Sequence, residues 1–174
     1  MDEPRLGKRD ALLTGPRPWQ PDAMAVIERK ASVVWEGNMR VGSGTVDGAS
    51  GAISGLPISS SNRLDDEAAQ VSPEEFMASA LATSYAMALS HTLGANGNQP
   101  DRLEVTAACE LDRTPDGLAI TRSRLDVKAV VPRLDEATFV SMAEKAETKC
   151  LVSNAIHGNV EIELNAELVS PTQS

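Results

Sequence analysis

The chain alternates between two hydrophobic periods. Ala31, Val33 and Trp35 alternate with Lys30, Ser32 and Val34, which predicts a strand, and Glu36-Gly37-Asn38 turns it into a second run over 39–46. Gly42 and Gly44 inside that run point to a bulge or a close backbone approach. A third, Gly-rich strand is expected over 50–57, and a polar loop over 59–67 follows. Further on, Leu103, Val105, Ala107, Cys109 and Leu111 share one strand face, and a Thr114–Gly117 turn leads to Leu125, Val127, Ala129 and Val131 on the core face of the next strand. Pro132 ends that strand and Asp135 caps a helix with Phe139, Met142, Ala143, Ala146 and Cys150 on its inward stripe. After a short helical turn over 153–156, Val160, Ile162 and Leu164 form the last strand. The order βββ–α–ββ–α–β, read with hairpins rather than crossovers, is that of an α+β protein.

One stretch stands apart. Ser72 is a good N-cap, Pro73 suits the first helical position, and Glu75 completes a capping box, so a helix begins here. Gly94 is expected to end it in the left-handed conformation. Between them lie Met77, Ala78, Ala80, Leu81, Ala82, Ala86, Met87, Ala88 and Leu89, apolar on nearly every face, which predicts a helix packed on several sides. At 1.5 Å per residue it spans roughly 30 Å. Glu74, Glu75, Ser79, Thr83, Ser84, Ser90 and His91 mark it as a core helix rather than a membrane span.

Composition narrows the function. With 174 residues the chain holds one domain, expected over 26–170, with a Pro-rich extension over 1–25 and a tail over 171–174. The extension is either disordered or laid over another surface with Trp19 as anchor. A net charge of −9 without a basic stripe excludes a nucleic-acid surface, and two Trp, two Phe and one Tyr leave few stacking platforms. The apolar run 11–13 is too short for a signal peptide, so the cytoplasm is expected, with Cys109 and Cys150 reduced.

Taken residue by residue, candidate chemistry is sparse. Ser84 lacks the glycines of a nucleophile elbow, and His91, seven residues on, lies about 10 Å away along the helix, too far to act as its base. Two histidines and two cysteines in no recognised spacing predict neither a metal site nor a cofactor. Cys109 reads as an inert core thiol, and Cys150, at a helix end beside Lys145 and Lys149, as a more approachable one. Arg63 is a lone cation in an acidic loop, and Glu74 is accounted for by the helix dipole alone.

Several segments together resemble the OsmC/Ohr family. Ser72–Ala78 with Ser84–Leu89 is similar to its central-helix signature, and Ala146-Glu147-Thr148-Lys149-Cys150-Leu151-Val152-Ser153 to its second-cysteine motif. Trp35–Asn38, Gly42–Gly44 and Asn62-Arg63 resemble its N-terminal strands and arginine loop. The match runs from about residue 27 to 168 and lies nearer the osmotically induced OsmC branch. The resemblance implies an OsmC-like fold of antiparallel sheets around two long central helices, in an intertwined homodimer. It implies a thiol peroxidase of oxidative and osmotic stress that reduces organic hydroperoxides and is recycled by a dithiol or lipoyl-type reductant. Carried onto this chain, the peroxidatic cysteine position is Ser84, the resolving cysteine Cys150, the arginine Arg63 and its salt-bridging partner Glu74. Phe76, Met77, Leu81 and Met142 are expected to line an apolar pocket for alkyl hydroperoxides.

The departure falls at the decisive place. A thiolate cleaves the O–O bond, and its sulfenic acid condenses with a second thiol. Serine does neither, so the chain is expected to be inactive as a peroxidase. Two origins fit Ser84: a Cys→Ser substitution made to trap one state, or a natural loss. The alternatives are a non-enzymatic homologue that binds a lipid or hydrophobic small molecule in the same pocket and, more distantly, a serine hydrolase. Leu151, where the family often has proline, is a second departure.

Overall fold

A computed structural model of the protein describes residues 27–61 and 70–170. The expected extension over 1–25, Arg63 and the tail over 171–174 lie outside the described residues. Among the described residues, the strands and helices belong to one unit from Ala31 onward. They run β1 (Ala31–Glu36), β2 (Ser43–Gly48), β3 (Leu56–Ser59), α1 (Pro73–Ala95), β4 (Arg102–Thr114), β5 (Gly117–Val130), α2 (Glu136–Glu147), α3 (Leu151–Ile156) and β6 (Glu161–Leu168).

The strands form two sheets. In the first, β1-β2-β3 is antiparallel throughout, with Val33 opposite Val46 and Gly44 opposite Trp35. A Cβ on Gly44 would lie 2.2 Å from the Val34 carbonyl oxygen, so the close approach expected there requires glycine. In the second sheet β5 is central. It pairs antiparallel with β4 through a bulge at Glu110/Leu111, and parallel with β6 from Arg122↔Glu161 to Ala129↔Leu168.

The parallel pair corrects the reading of antiparallel sheets joined by hairpins alone. Apolar alternation along β6 is the same in either direction. The intervening segment with α2 and α3 is long enough to cross over and return parallel.

The core lies between this sheet and the helices. Leu81, Tyr85, Leu89 and Leu93 of α1 meet Leu125, Val127 and Ala129 of β5 and Phe139, Ala143 and Ala146 of α2, all buried in one cluster. The opposite face of the sheet is charged. Arg122 bridges Glu110 and Glu161, Arg124 reaches Glu110 and Asp126, and Lys128 meets Glu167.

Helix α1 starts as its sequence dictates, with Ser72 Oγ accepting from the Glu75 N–H at 3.1 Å. Its end differs from expectation. Gly94 is inside the helix, Asn96 is the C-cap, and Gly97 takes the left-handed conformation with φ 76°. Gly97 N–H donates to the Gly94 carbonyl and Asn98 N–H to the Leu93 carbonyl, both at 3.0 Å, the paired bonds of a Schellman motif. Burial differs too. Within this chain only the stripe Leu81, Tyr85, Leu89, Thr92 and Leu93 is buried, while Ala80, Thr83 and Met87 face outward. Low polarity around the whole helix does not say which faces one chain covers by itself.

Candidate active site

Three elements converge on one sulfur. Helix α2 is capped by Asp135, whose carboxylate accepts from the Thr138 N–H at 2.9 Å. Its stripe Phe139, Ala143 and Ala146 is buried, and after Thr148 the chain reverses into α3. Cys150 sits at that reversal as the N-cap of α3, fully buried. Its thiol S–H donates to Ser84 Oγ at 3.2 Å, and its sulfur accepts from the Ser153 N–H at 3.5 Å.

The sequence expectation of a site shared by Ser84 and Cys150 thus joins two residues 66 positions apart. Ser84 is half-buried on α1, between the buried Leu81 and Tyr85 of the core stripe and the outward Thr83 and Met87.

Tyr85, next to Ser84, was singled out by no sequence signal. It is fully buried, and its hydroxyl donates to the Ala143 carbonyl of α2 at 3.1 Å. That bond ties α1 to the segment of α2 that leads to Cys150. Burial first, then the negative charge of Glu147 and the nearby Cys150, push the phenol well above the usual tyrosine range.

Ser153 was also missed. It is buried, and among the described residues its Oγ has no hydrogen-bond partner of good geometry. A capping relation would have found it, since Cys150 is an N-cap and Ser153 stands at N3.

Electrostatically the sulfur is set apart from an ordinary buried thiol. Burial raises its pKa, but the Ser153 hydroxyl and amide, then Ser84 and the Val152 amide, favour the thiolate and outweigh it, leaving Cys150 below the ordinary cysteine value. Cys109 differs. It is half-buried on β4, with its sulfur 3.4 Å from Ser123 Oγ, on the core face as its alternation predicts.

The remaining sequence-predicted residues are dispersed. Glu74 is half-buried in the first turn of α1, ten residues before Ser84, and Phe76 and Met77 are half-buried on the next positions. Leu81 is fully buried in the core. Met142 packs against the core, with its sulfur 3.9 Å from Asn98 Nδ2 beyond the C-terminus of α1. Ser84 lies about 15 Å back along that helix. His91 and His157 are exposed. Among the described residues no three His, Cys, Asp or Glu side chains are grouped to hold a metal ion, and no helix is long and apolar enough to cross a membrane. Leu151, at the first position of α3, is 80% exposed; proline is favoured at such a position, so the leucine there is tolerated without packing.

Comparison with known proteins agrees with this architecture. Residues 65–165 match the family model described as OsmC-like protein. The peroxiredoxin OsmC of Escherichia coli strain K12 is 35% identical over 144 residues, which cover 83% of this chain and 99% of that protein. Among solved structures, an organic hydroperoxide resistance protein OsmC from Legionella pneumophila superposes with a TM-score of 0.64 at 23% identity, covering 83% of this chain and 99% of that one. An organic hydroperoxide resistance protein from Elizabethkingia anophelis gives a TM-score of 0.67 at 18% identity, covering 84% and 100%. The fold is common to these solved structures, and the family match with the Escherichia coli identity carries the assignment: this chain belongs to the OsmC-like family.

Proposed function

We propose that this chain carries an OsmC-type organic hydroperoxide site in which Ser84 occupies the place of the attacking thiol and Cys150 is the resolving partner. The observation that supports this reading is the 3.2 Å contact between Ser84 Oγ and Cys150 Sγ. A disulfide forms only between side chains that face one another, and the contact supports a site laid out for two thiols, of which this chain holds one. A serine hydroxyl neither attacks the peroxide at neutral pH nor forms a sulfenic acid, so the two-thiol cycle does not run in this chain.

In the complete site, Arg63 favours the thiolate at position 84 and Glu74 orients Arg63. Phe76 and Met77 supply apolar lining at the near end of α1, with Leu81 behind them and Met142 at the far end. A dithiol or lipoyl-type reductant reopens the disulfide, in a reducing compartment such as the cytoplasm, where the free thiols of Cys109 and Cys150 persist. The working form is a homodimer. Val33, Val34 and Trp35 of β1 and Met87 of α1 are exposed in one chain, and a three-stranded sheet with open apolar side chains gains stability when a second copy covers it.

Restoring the thiol tests this. The Ser84→Cys variant is expected to consume an alkyl hydroperoxide continuously with a dithiol present. Cys150→Ser added to that variant should, with no external thiol present, stop after one oxidation. An Ser84→Cys protein that is folded and consumes no alkyl hydroperoxide overturns the reading. Equal affinity of both forms for an apolar ligand, with no turnover in either, would favour the binding homologue instead.

A further inference from the structure

Two consecutive residues of α1 hold the segment that carries Cys150, and they hold it differently. Ser84 meets the sulfur itself, at 3.2 Å. Tyr85 donates its hydroxyl to the Ala143 carbonyl of α2, at 3.1 Å, seven residues before Cys150. The first contact is the one that a two-thiol cycle makes and breaks, whereas the second persists through it.

Core filling alone does not call for a tyrosine. Tyr85 is fully buried in the cluster that joins α1 to Phe139, Ala143 and Ala146 of α2. Phenylalanine has nearly the same volume with no polar atom to satisfy, and one hydrogen bond nets only about 1 kcal/mol. What the hydroxyl adds is direction. Apolar burial is non-directional and tolerates a slide of one helix along another, while a donor aimed at one carbonyl selects one register.

That carbonyl is placed to transmit the register. In an α-helix the Ala143 carbonyl also accepts from the N–H of residue 147, since a carbonyl oxygen has two lone pairs. The Glu147 carbonyl in turn accepts from the Cys150 N–H at 3.0 Å. The Tyr85 hydroxyl is thus joined to the Cys150 backbone by one helical turn and its closing bond. Burial, Glu147 and Cys150 raise the phenol's pKa, so the donor keeps its proton wherever thiols exchange.

We propose that Tyr85 is a positioning residue for the two-thiol site: its bond to the Ala143 carbonyl fixes the α2–α3 turn in register with position 84 and thereby sets how readily residues 84 and 150 form a disulfide. This rests on the two-thiol reading above and adds a residue that acts through the backbone of α2.

The step it governs is closure. In the Ser84→Cys chain, the Cys150 thiol attacks the sulfenic sulfur at position 84. An S–S bond forms, the S–O bond breaks, and hydroxide leaves with the thiol proton as water. The same disulfide is reached without peroxide by exchange with an external disulfide, which takes up the two electrons and two protons of the dithiol. Either route depends on the effective concentration of one sulfur at the other, which falls steeply with small misplacements. Without the tyrosine bond, the dithiol form gains freedom along α2 that the disulfide form must give up. A bond with a merely structural role would stabilise both forms equally and leave their balance unmoved.

The test compares Ser84→Cys with the same chain carrying Tyr85→Phe, both in a Cys109→Ser background so that only the two site thiols react. Each is equilibrated in dithiothreitol or glutathione buffers of graded potential, and the disulfide fraction is read by alkylation and mass. Tyr85→Phe should lower the equilibrium constant for closure roughly three- to ten-fold, a shift of about 15–30 mV toward easier reduction, and slow closure by a similar factor. The chain with Ser84 and both native cysteines gives an independent readout. There Tyr85→Phe should speed labelling of Cys150 by a small thiol reagent about three- to ten-fold and leave Cys109 unchanged. Circular dichroism confirms that each variant is folded.

A potential and closure rate unmoved by Tyr85→Phe overturn the inference and leave the hydroperoxide reading intact. Equal acceleration at Cys150 and Cys109 also overturns it, because general loosening then accounts for the effect. If the Ser84→Cys disulfide forms and responds to Tyr85→Phe while the protein consumes no hydroperoxide, the inference stands and the hydroperoxide reading fails. If Ser84→Cys forms no disulfide in any buffer, both fail together.

Discussion

Tyr85 shows how a single buried polar atom shapes the site's surroundings. Its hydroxyl donates to the Ala143 carbonyl at 3.1 Å, and the phenolate is disfavoured by burial, Glu147 and Cys150. Removing the hydroxyl as Tyr85→Phe should cost about 1 kcal/mol, the usual net worth of one hydrogen bond, read as a lower denaturant midpoint at neutral pH. The pH dependence follows from the direction of the shift. Because the folded-state pKa is raised, the stabilisation is complete below the unfolded value of about 10 and is lost as pH rises beyond it. The parent should therefore lose stability more steeply above about pH 10 than Tyr85→Phe does, and parallel alkaline limbs would contradict this. The same residue marks the limit of sequence reading. Cys150 is legible because it continues the apolar stripe of α2, and Ser84 because a family spacing counts to it. Tyr85 acts through a carbonyl on another helix, and nothing in its own neighbourhood signals that, whereas Ser153 becomes visible only once Cys150, three residues before it, is read as a helix cap.

Among the elements, α1 carries most of the consequence, because it presents Ser84 to Cys150 and aligns the core stripe. Its register is fixed at the start by Ser72, whose Oγ takes the Glu75 N–H. Ser72→Ala should cost about 1 kcal/mol, a fall in Tm of roughly 2–4 °C for a chain of this size, measured by thermal unfolding. An unchanged Tm would mean that another group or water satisfies that donor. The start of this helix was readable because cap, proline and glutamate lie in consecutive positions with independent preferences. Its end was displaced, since both Gly94 and Gly97 follow apolar residues or a turn, and only the backbone selects the glycine with φ 76°. The direction of β6 was unreadable for a related reason: side-chain alternation has no sign, and strand direction is set by the path through α2 and α3.

At the scale of the molecule, apolar faces of β1 and α1 are left open among the described residues when one chain has folded. On β1, Val34 is 64% exposed, and on α1 Met87 is 69% exposed, opposite the buried stripe of the same helix. Isolated exposed apolar residues are ordinary. Here they lie on a strand whose other large apolar members Val33 and Trp35 are also exposed, and on a helix with little polarity on any face. Both features become economical if a second copy lies over them, the arrangement proposed above. Charge placed in such an interface is costly, whereas charge placed on a free surface changes stability by no more than about 0.5 kcal/mol. Val34→Glu and Met87→Glu, made separately, should each convert a species of twice the chain mass into one of single mass in sedimentation equilibrium. Because the working form is proposed to be the homodimer, the same substitutions in the Ser84→Cys background should reduce hydroperoxide turnover in step with dimer loss. A parent that sediments as a single chain, or variants that remain dimeric with undiminished turnover, would show that these faces are not where two copies meet.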